Sequence, residues 1–398
     1  MLRNGVDQLK ILIFLNSLAG GGTERVAATL ANFWVLRHWD VTIVTLNPES
    51  EDFYRLDPRI KRISLNLSGE SSGVMDALLQ NIRRVAALRR VIKQVRPTVA
   101  LSMMSTPNVL LAFASHNLTG VCAVGSEHCY PPHAPLGRIW GSLCSRMYGR
   151  LSAVVALTQE CAEWIRTHSS ATHVAVIPNA AVWPLPNNQP RINPEALCRT
   201  GRKVLLAVGR LDVVKNYPLL IRTFSQLANR HPEWDLVILG EGPQRSVLES
   251  AVRAEGVEGR IFFPGIAGNV GAWYERADLY VMTSQSEGFP NSLAEALGHG
   301  LPAVSVDCDT GPRDIIRHGI DGFLVPVNDA ALLAQRLGQV MGDAALRSRL
   351  ADRAGDARER FSVEKITEMW EELFTKLSKQ PRLLAPAGSA RAAKRCGS

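Results

Sequence analysis

Residues 182–202 read VWPLPNNQPRINPEALCRTGR, and this stretch divides the chain. Pro184, Pro186, Pro190 and Pro194, with Asn187 and Asn188 between them, suit neither a continuous strand nor a helix, so the segment is predicted to be a linker. On both sides of it, short apolar runs alternate with helical patterns. Upstream, the expected strands are 11–16, 41–46, 60–65, 99–103, 121–124, 154–157 and 173–177, with helices at 23–36, 74–96 and 160–167. Downstream, strands are expected at 203–208, 236–239, 261–263, 279–283, 303–306 and 323–325, and helices at 216–229, 243–255, 291–299 and 330–341. Such alternation builds parallel sheets from βαβ units. The prediction is therefore an α/β protein of two Rossmann-like, doubly wound domains, 1–181 and 203–362, facing across a cleft. An amphipathic helix at 363–379 is expected to cross back to the first domain, and the basic tail 380–398 to be disordered.

Composition narrows the function. With 398 residues, 46% hydrophobic and 21% charged, the chain is long enough for two cores and too apolar for a disordered one. Seven cysteines with no C-x-x-C pair fit reduced thiols better than a disulfide framework or a zinc site. The most apolar window, 99–114, is interrupted by Ser102, Ser105, Thr106, Pro107 and Asn108, so no membrane span is expected. The net charge of +8 is uneven: residues 1–180 carry 18 basic and 12 acidic side chains, and 181–379 carry 23 and 25. Neither aromatic interleaving nor a known motif supports nucleic-acid binding. An anionic small molecule or an anionic membrane surface is the better partner for the basic half.

Six motifs follow predicted strands. Gly20-Gly21-Gly22-Thr23-Glu24-Arg25 lets the backbone turn tightly before a helix whose N–H groups attract phosphate. Gly209-Arg210-Leu211 with Lys215-Asn216 offers a forked cation and a point charge, suited to a diphosphate. Leu239-Gly-Glu-Gly-Pro243 suits a strand-to-helix turn and needs no function. Ser286-Glu287-Gly288-Phe289-Pro290-Asn291-Ser292-Leu293-Ala294-Glu295 places two carboxylates beside a helix N-terminus. Phosphate would be repelled by those carboxylates unless they serve hydroxyl groups, which points to a ligand with phosphates in its middle and hydroxyls at both ends, a sugar nucleotide. Ser126-Glu127-His128 sets an imidazole at a strand end. Asp307-Cys-Asp309 has D-x-D spacing but no further oxygen ligands, and is expected to serve its loop.

Together these motifs resemble glycosyltransferase family 4, the retaining nucleotide-sugar transferases of the GT-B fold, over nearly the whole chain to about residue 379. The resemblance implies that Gly21 and Gly22 approach the donor diphosphate and that Arg210 and Lys215 pair with it. It implies that Glu287 holds donor-sugar hydroxyls, with Gly288, Phe289, Asn291, Ser292 and Leu293 around the phosphates, and that Glu295 holds the ribose. His128 would lie near the reacting centre. It also implies metal-independent transfer of a hexose or N-acetylhexosamine, with UDP as the expected nucleotide, to a lipid-linked or oligosaccharide acceptor in cell-surface glycan synthesis. Where similar enzymes carry Ser-Glu, this chain has Arg313-Asp314, and these two stay outside the expected site. A cytoplasmic enzyme, peripheral on the inner face of the plasma membrane, is implied. Residues 82–96, with Arg138, Trp140, Arg146, Tyr148 and Arg150, are a candidate lipid-facing surface, the alternative being ordinary packing on the sheet. A nucleotide-sugar epimerase and a non-catalytic subunit of a glycan assembly complex are the competing functions.

Overall fold

Runs of Val, Ile, Leu and Ala, buried on both faces, give parallel strands rather than half-exposed hairpins. The computed structural model describes residues 9–69, 73–134, 136–198 and 200–379. The basic tail lies outside them. The first sheet contains β1 (Lys10–Leu15), β2 (Asp40–Thr45), β3 (Lys61–Ser64), β4 (Val99–Met103), β5 (Cys122–Glu127), β6 (Ala153–Ala156) and β7 (Val174–Val176), in the order β3-β2-β1-β4-β5-β6-β7. The second contains β8 (Lys203–Val208), β9 (Trp234–Leu239), β10 (Ile261–Gly265), β11 (Leu279–Met282), β12 (Ala303–Asp307) and β13 (Gly322–Pro326), ordered β10-β9-β8-β11-β12-β13. All pairings are parallel. Strand order reverses beside β1 in one sheet and beside β8 in the other, and ligands of open α/β sheets bind at such switch points, outside the carboxyl ends of strands.

Five helices of the first half surround its sheet near the cleft or support it: α1 (Gly22–Leu36), α2 (Val74–Val95), α3 (Ser105–Ala114), α4 (Arg138–Met147) and α5 (Gln159–His168). The sequence pattern shows neither α3 nor α4. The polar interruption at 105–108 is the first turn of α3, and its buried Asn108 accepts from Ser102 Oγ at 2.7 Å and donates to the Ser126 carbonyl at 3.0 Å. Satisfied in this way, polar residues stay inside a helix. On α2, Leu88, Val91 and Ile92 are buried and Val85 and Val95 pack against the same core as Leu12, Phe14 and Ala100. The apolar side of residues 82–96 is thus packed on its own sheet, and Tyr148 is buried as well. Of that candidate surface, these apolar residues and Tyr148 face inward, while Arg83, Arg90, Lys93, Arg138, Arg146 and Arg150 stay exposed.

The segment after residue 181 is pinned to the second half rather than loose. Asn188 N–H donates to the Gly268 carbonyl at 3.0 Å, and the Asn269 side chain exchanges two hydrogen bonds with the Ile192 backbone, at 3.0 and 2.9 Å. The chain then ends the described region with a helix, Val363–Lys379, that buries Ile366, Trp370, Leu373, Phe374 and Leu377 in the first half's core. Phe374 is fully buried, its ring 5.7 Å from Trp34, 6.4 Å from Trp39 and 5.5 Å from Trp370. Truncating a buried aromatic costs about 3–5 kcal/mol. Phe374→Ala is accordingly expected to lower the unfolding free energy of the first half by that amount, measured by urea denaturation followed by tryptophan fluorescence. No described helix is long and apolar enough to cross a membrane.

Candidate active site

Two helices, one from each half, point their N-termini at each other. α1 starts directly after the glycine loop that follows β1, and the Asn291–Gly298 helix starts after the loop that follows β11. A Cβ on Gly22 would lie 3.5 Å from Asn291 Nδ2, and Asn179 Nδ2 donates to Asn291 Oδ1 at 3.0 Å. Each N-terminus carries about half a positive charge and unpaired N–H groups, so their meeting makes an anion site. Gly21 caps α1, and its carbonyl accepts from Tyr54 OH at 2.8 Å. Between the helices, Arg25 Nη2 reaches Glu295 Oε1 at 2.5 Å, while Tyr274 OH donates to Glu295 Oε2 at 3.2 Å. Burial pushes the Glu295 carboxyl up, with Arg25 opposing, and Glu295 in turn holds the Arg25 guanidinium charged. Arg25, Tyr274 and Tyr54 carry no signal of this in the sequence, because their partners lie far along the chain.

Lys215 Nζ donates to Glu287 Oε1 at 2.6 Å, both side chains being largely buried. Three loops converge to hold the pair: Thr283 Oγ1 donates to the Lys215 carbonyl at 2.8 Å, Gln285 N–H to Val214 O at 2.8 Å, and the Thr310 hydroxyl to the Glu287 carbonyl. Gly311 in the loop after β12 has φ +96°, and a Cβ there would meet Pro290 Cδ at 2.5 Å, so only glycine fits. Gly288 is tighter still, since its Cβ would sit 2.0 Å from the His128 carbonyl oxygen across the cleft. Phe289 is buried against Phe361. Ser292 Oγ accepts from Tyr280 OH at 2.9 Å, and the Leu293 amide is already bonded to Pro290 O at 3.0 Å. Arg210 is not brought to Lys215 and Glu287: its side chain is 71% exposed, 3.6 Å from Asp212.

His128 Nε2 lies 3.1 Å from Ser126 Oγ, and burial pushes the imidazole from its ordinary 6.5 down to about 4. Burial thus holds the ring neutral at physiological pH. The unfolded chain binds this proton near pH 6.5 and the folded one near pH 4, so the folded state loses stability as pH falls through that window. Denaturation at about pH 7 and pH 5 is expected to show that loss, and His128→Asn to remove this residue's part of it. Behind His128, buried Glu127 accepts from Ser105 Oγ at 2.8 Å and from Tyr148 OH at 2.5 Å, its carboxyl raised by burial. This network fixes the strand end that presents His128.

Asp309 and Asp307 each have a side-chain partner: His133 Nε2 at 2.5 Å, reaching across the cleft, and Arg313 Nε at 3.0 Å. Among the described residues no group of three His, Cys, Asp or Glu is placed to hold a metal. Asp314 is pushed up to about 6, by burial first and Glu160 next.

Residues 20–181 match the family described as Glycosyltransferase Family 4, and residues 188–356 match Glycosyl transferases group 1. The chain is 29% identical over 90% of its length to an exopolysaccharide phosphotransferase of Streptomyces coelicolor, spanning 39% of that protein. It is 27% identical to an N-acetyl-D-galactosaminyltransferase of Campylobacter jejuni whose name gives an undecaprenol-linked oligosaccharide, covering 93% of this chain and 99% of the relative. The crystal structure of Anabaena HepE in complex with UDP and glucose has the same fold, with a TM-score of 0.74 at 18% identity and coverage of 92% and 100%. With one family matching each half of a two-sheet architecture, the chain belongs to the group 1 (family 4) glycosyltransferases of the GT-B fold.

Proposed function

We propose that this glycosyltransferase moves a hexose or N-acetylhexosamine from a UDP-sugar to a polyprenyl-diphosphate-linked glycan, with retention at the anomeric carbon. The observation that carries the proposal is the meeting of the two helix N-termini at Gly22 and Asn291, flanked by Lys215–Glu287 on one side and Arg25–Glu295 on the other. The donor diphosphate sits between the N-termini. Glu295 accepts from the ribose hydroxyls and Glu287 from the sugar hydroxyls. Arg25, released from Glu295, turns to the phosphates. In the reaction the bond from C1 to the diphosphate oxygen breaks while the acceptor oxygen bonds to C1 on the same face, and the acceptor proton passes to the leaving phosphate. Charge growing on that phosphate is met by Lys215 and the helix N–H groups, donors that need no reorganisation, so no step is assigned to a metal. Neutral His128 hydrogen-bonds the sugar or acceptor.

The undecaprenol-linked substrate in the Campylobacter relative's name supports the lipid-linked acceptor, and the UDP in the Anabaena structure supports the nucleotide. Saturation-transfer NMR with a panel of UDP-sugars and GDP-mannose tests donor choice. A UDP-sugar is expected to show transfer to both ribose and sugar protons, with Glu295→Gln losing the ribose signal. Preference for GDP-mannose would overturn the UDP assignment.

A further inference from the structure

Asp309 has no part in the donor site described above. It stands in the loop after β12 with its side chain 58% exposed, and His133, in the loop after β5, is 40% exposed. His133 Nε2 and Asp309 Oδ2 are 2.5 Å apart across the cleft. The imidazole lies against the Tyr130 ring, stacked at 5.5 Å between centroids and 29° between planes. Burial first and Asp309 next push the Tyr130 phenol up, so it stays a hydrogen-bond donor near that carboxylate. Both loops also carry parts of the reacting centre. Tyr130 follows His128 by two positions, and Thr310, next to Asp309, donates its hydroxyl to the Glu287 carbonyl. Tyr130, His133 and Asp309 are all distinct from the Lys215–Glu287 and Arg25–Glu295 pairs.

We infer that Tyr130, His133 and Asp309 form the subsite for the acceptor's terminal sugar, which rests on the sugar transfer proposed above. A carboxylate accepts from neighbouring hydroxyls with two oxygens, a neutral imidazole offers one donor and one acceptor, and a phenol adds another donor. That set satisfies a polyol. A sugar hydroxyl entering between His133 and Asp309 takes over the bond that each now makes with the other. Charge decides which end of the acceptor enters. Asp307 and Asp309 stand on one lip and Glu160 lies near Tyr130 on the other, so a phosphate is repelled. Arg313, the cation beside them, is already engaged by Asp307 at 3.0 Å. A metal ion fits no better, since among the described residues no three His, Cys, Asp or Glu are placed to hold one. The neutral sugar end therefore enters here and the diphosphate of the acceptor stays outside. Because Asp309 belongs to the second half and the other two residues to the first, the subsite is complete only while the cleft is closed. Acceptor recognition is thereby tied to the closure that brings Gly288 to the His128 carbonyl.

Saturation-transfer NMR with methyl glycosides of hexoses and N-acetylhexosamines, which carry neither lipid nor phosphate, tests this on the full chain with and without UDP. At least one glycoside is expected to receive saturation on its ring protons. His133→Ala with Asp309→Ala is expected to weaken that glycoside by more than about tenfold, two hydrogen-bonding side chains being lost, with the UDP signal and the thermal melt unchanged. Tyr130→Ala, which frees the imidazole to turn, is expected to weaken it as well. Absence of binding by every glycoside, or wild-type affinity in either variant, would overturn the inference. So would an equal loss of UDP in the double variant, which would make the pair a tie between the halves. A chain that takes the glycoside but no UDP-sugar would contradict the donor assignment alone.

Discussion

Lys215→Ala is expected to lower kcat by about 10²–10³-fold, the scale of losing one preorganised donor to a developing anion. Lys215 is the one cation of the sequence-predicted pair that the fold places against Glu287, at 2.6 Å. It is held there by loops from three strands rather than by its own flexible stem. In the ground state it neutralises Glu287. In the proposed reaction it stands where new charge appears as the bond to the diphosphate breaks, so its loss is expected in kcat more than in donor KM. Lys215→Arg is not expected to restore the rate, because a planar fork does not replace a compact ammonium in so close a pair. Arg210→Ala gives the contrast: with its side chain 71% exposed beside Asp212, it contributes only if donor binding draws it inward. Steady-state kinetics with Lys215→Ala within threefold of wild type, on the scale of about 0.6 kcal/mol, would remove this residue from the reaction.

Gly288→Ala is the second large effect. The added methyl would lie 2.0 Å from the His128 carbonyl oxygen, a backbone atom that cannot step aside. The contact joins the two halves, so the clash is relieved by opening the cleft rather than by unfolding either sheet. Misplacing reacting groups by about 1 Å costs on the order of 10²-fold, and that loss is expected in kcat/KM. The thermal melt should move little. Small-angle scattering with saturating donor should report a larger radius of gyration than wild type. A compact, active Gly288→Ala enzyme would mean that closure at this point is not part of turnover.

The architecture was legible because its signal is local. Strands such as 203–208 and 99–103 are continuous apolar runs, and a sheet buried on both faces requires nothing else. α3 leaves no helical signal in the sequence because Asn108 and Ser102, which interrupt the apolar pattern, satisfy one another in the interior. On α2 the apolar residues at 85–95 are inward, while most of the exposed ones, at 74–79, precede the window that the charge pattern singles out. The candidate site was legible as far as single motifs go: Glu287, Glu295, Lys215 and the glycine loop each follow a strand. Arg25 was visible only as a residue opening a helix. Its 2.5 Å contact with Glu295 joins residues of different domains, and only the facing of the two sheets creates it. Likewise nothing near His128 in sequence announces that Gly288 closes on its carbonyl, or that Glu127 is locked by Tyr148.

Whether the cleft between the two sheets carries sugar transfer to a separate acceptor is tested most directly by release of UDP from a UDP-sugar, followed with and without a polyprenyl-diphosphate-linked oligosaccharide. Release is expected to depend on the acceptor, with an α-linked product from an α-linked donor, and both are expected to be lost in Glu287→Gln. Conversion of the UDP-sugar to its epimer with no acceptor present, or no turnover in either condition, would contradict transfer in this cleft.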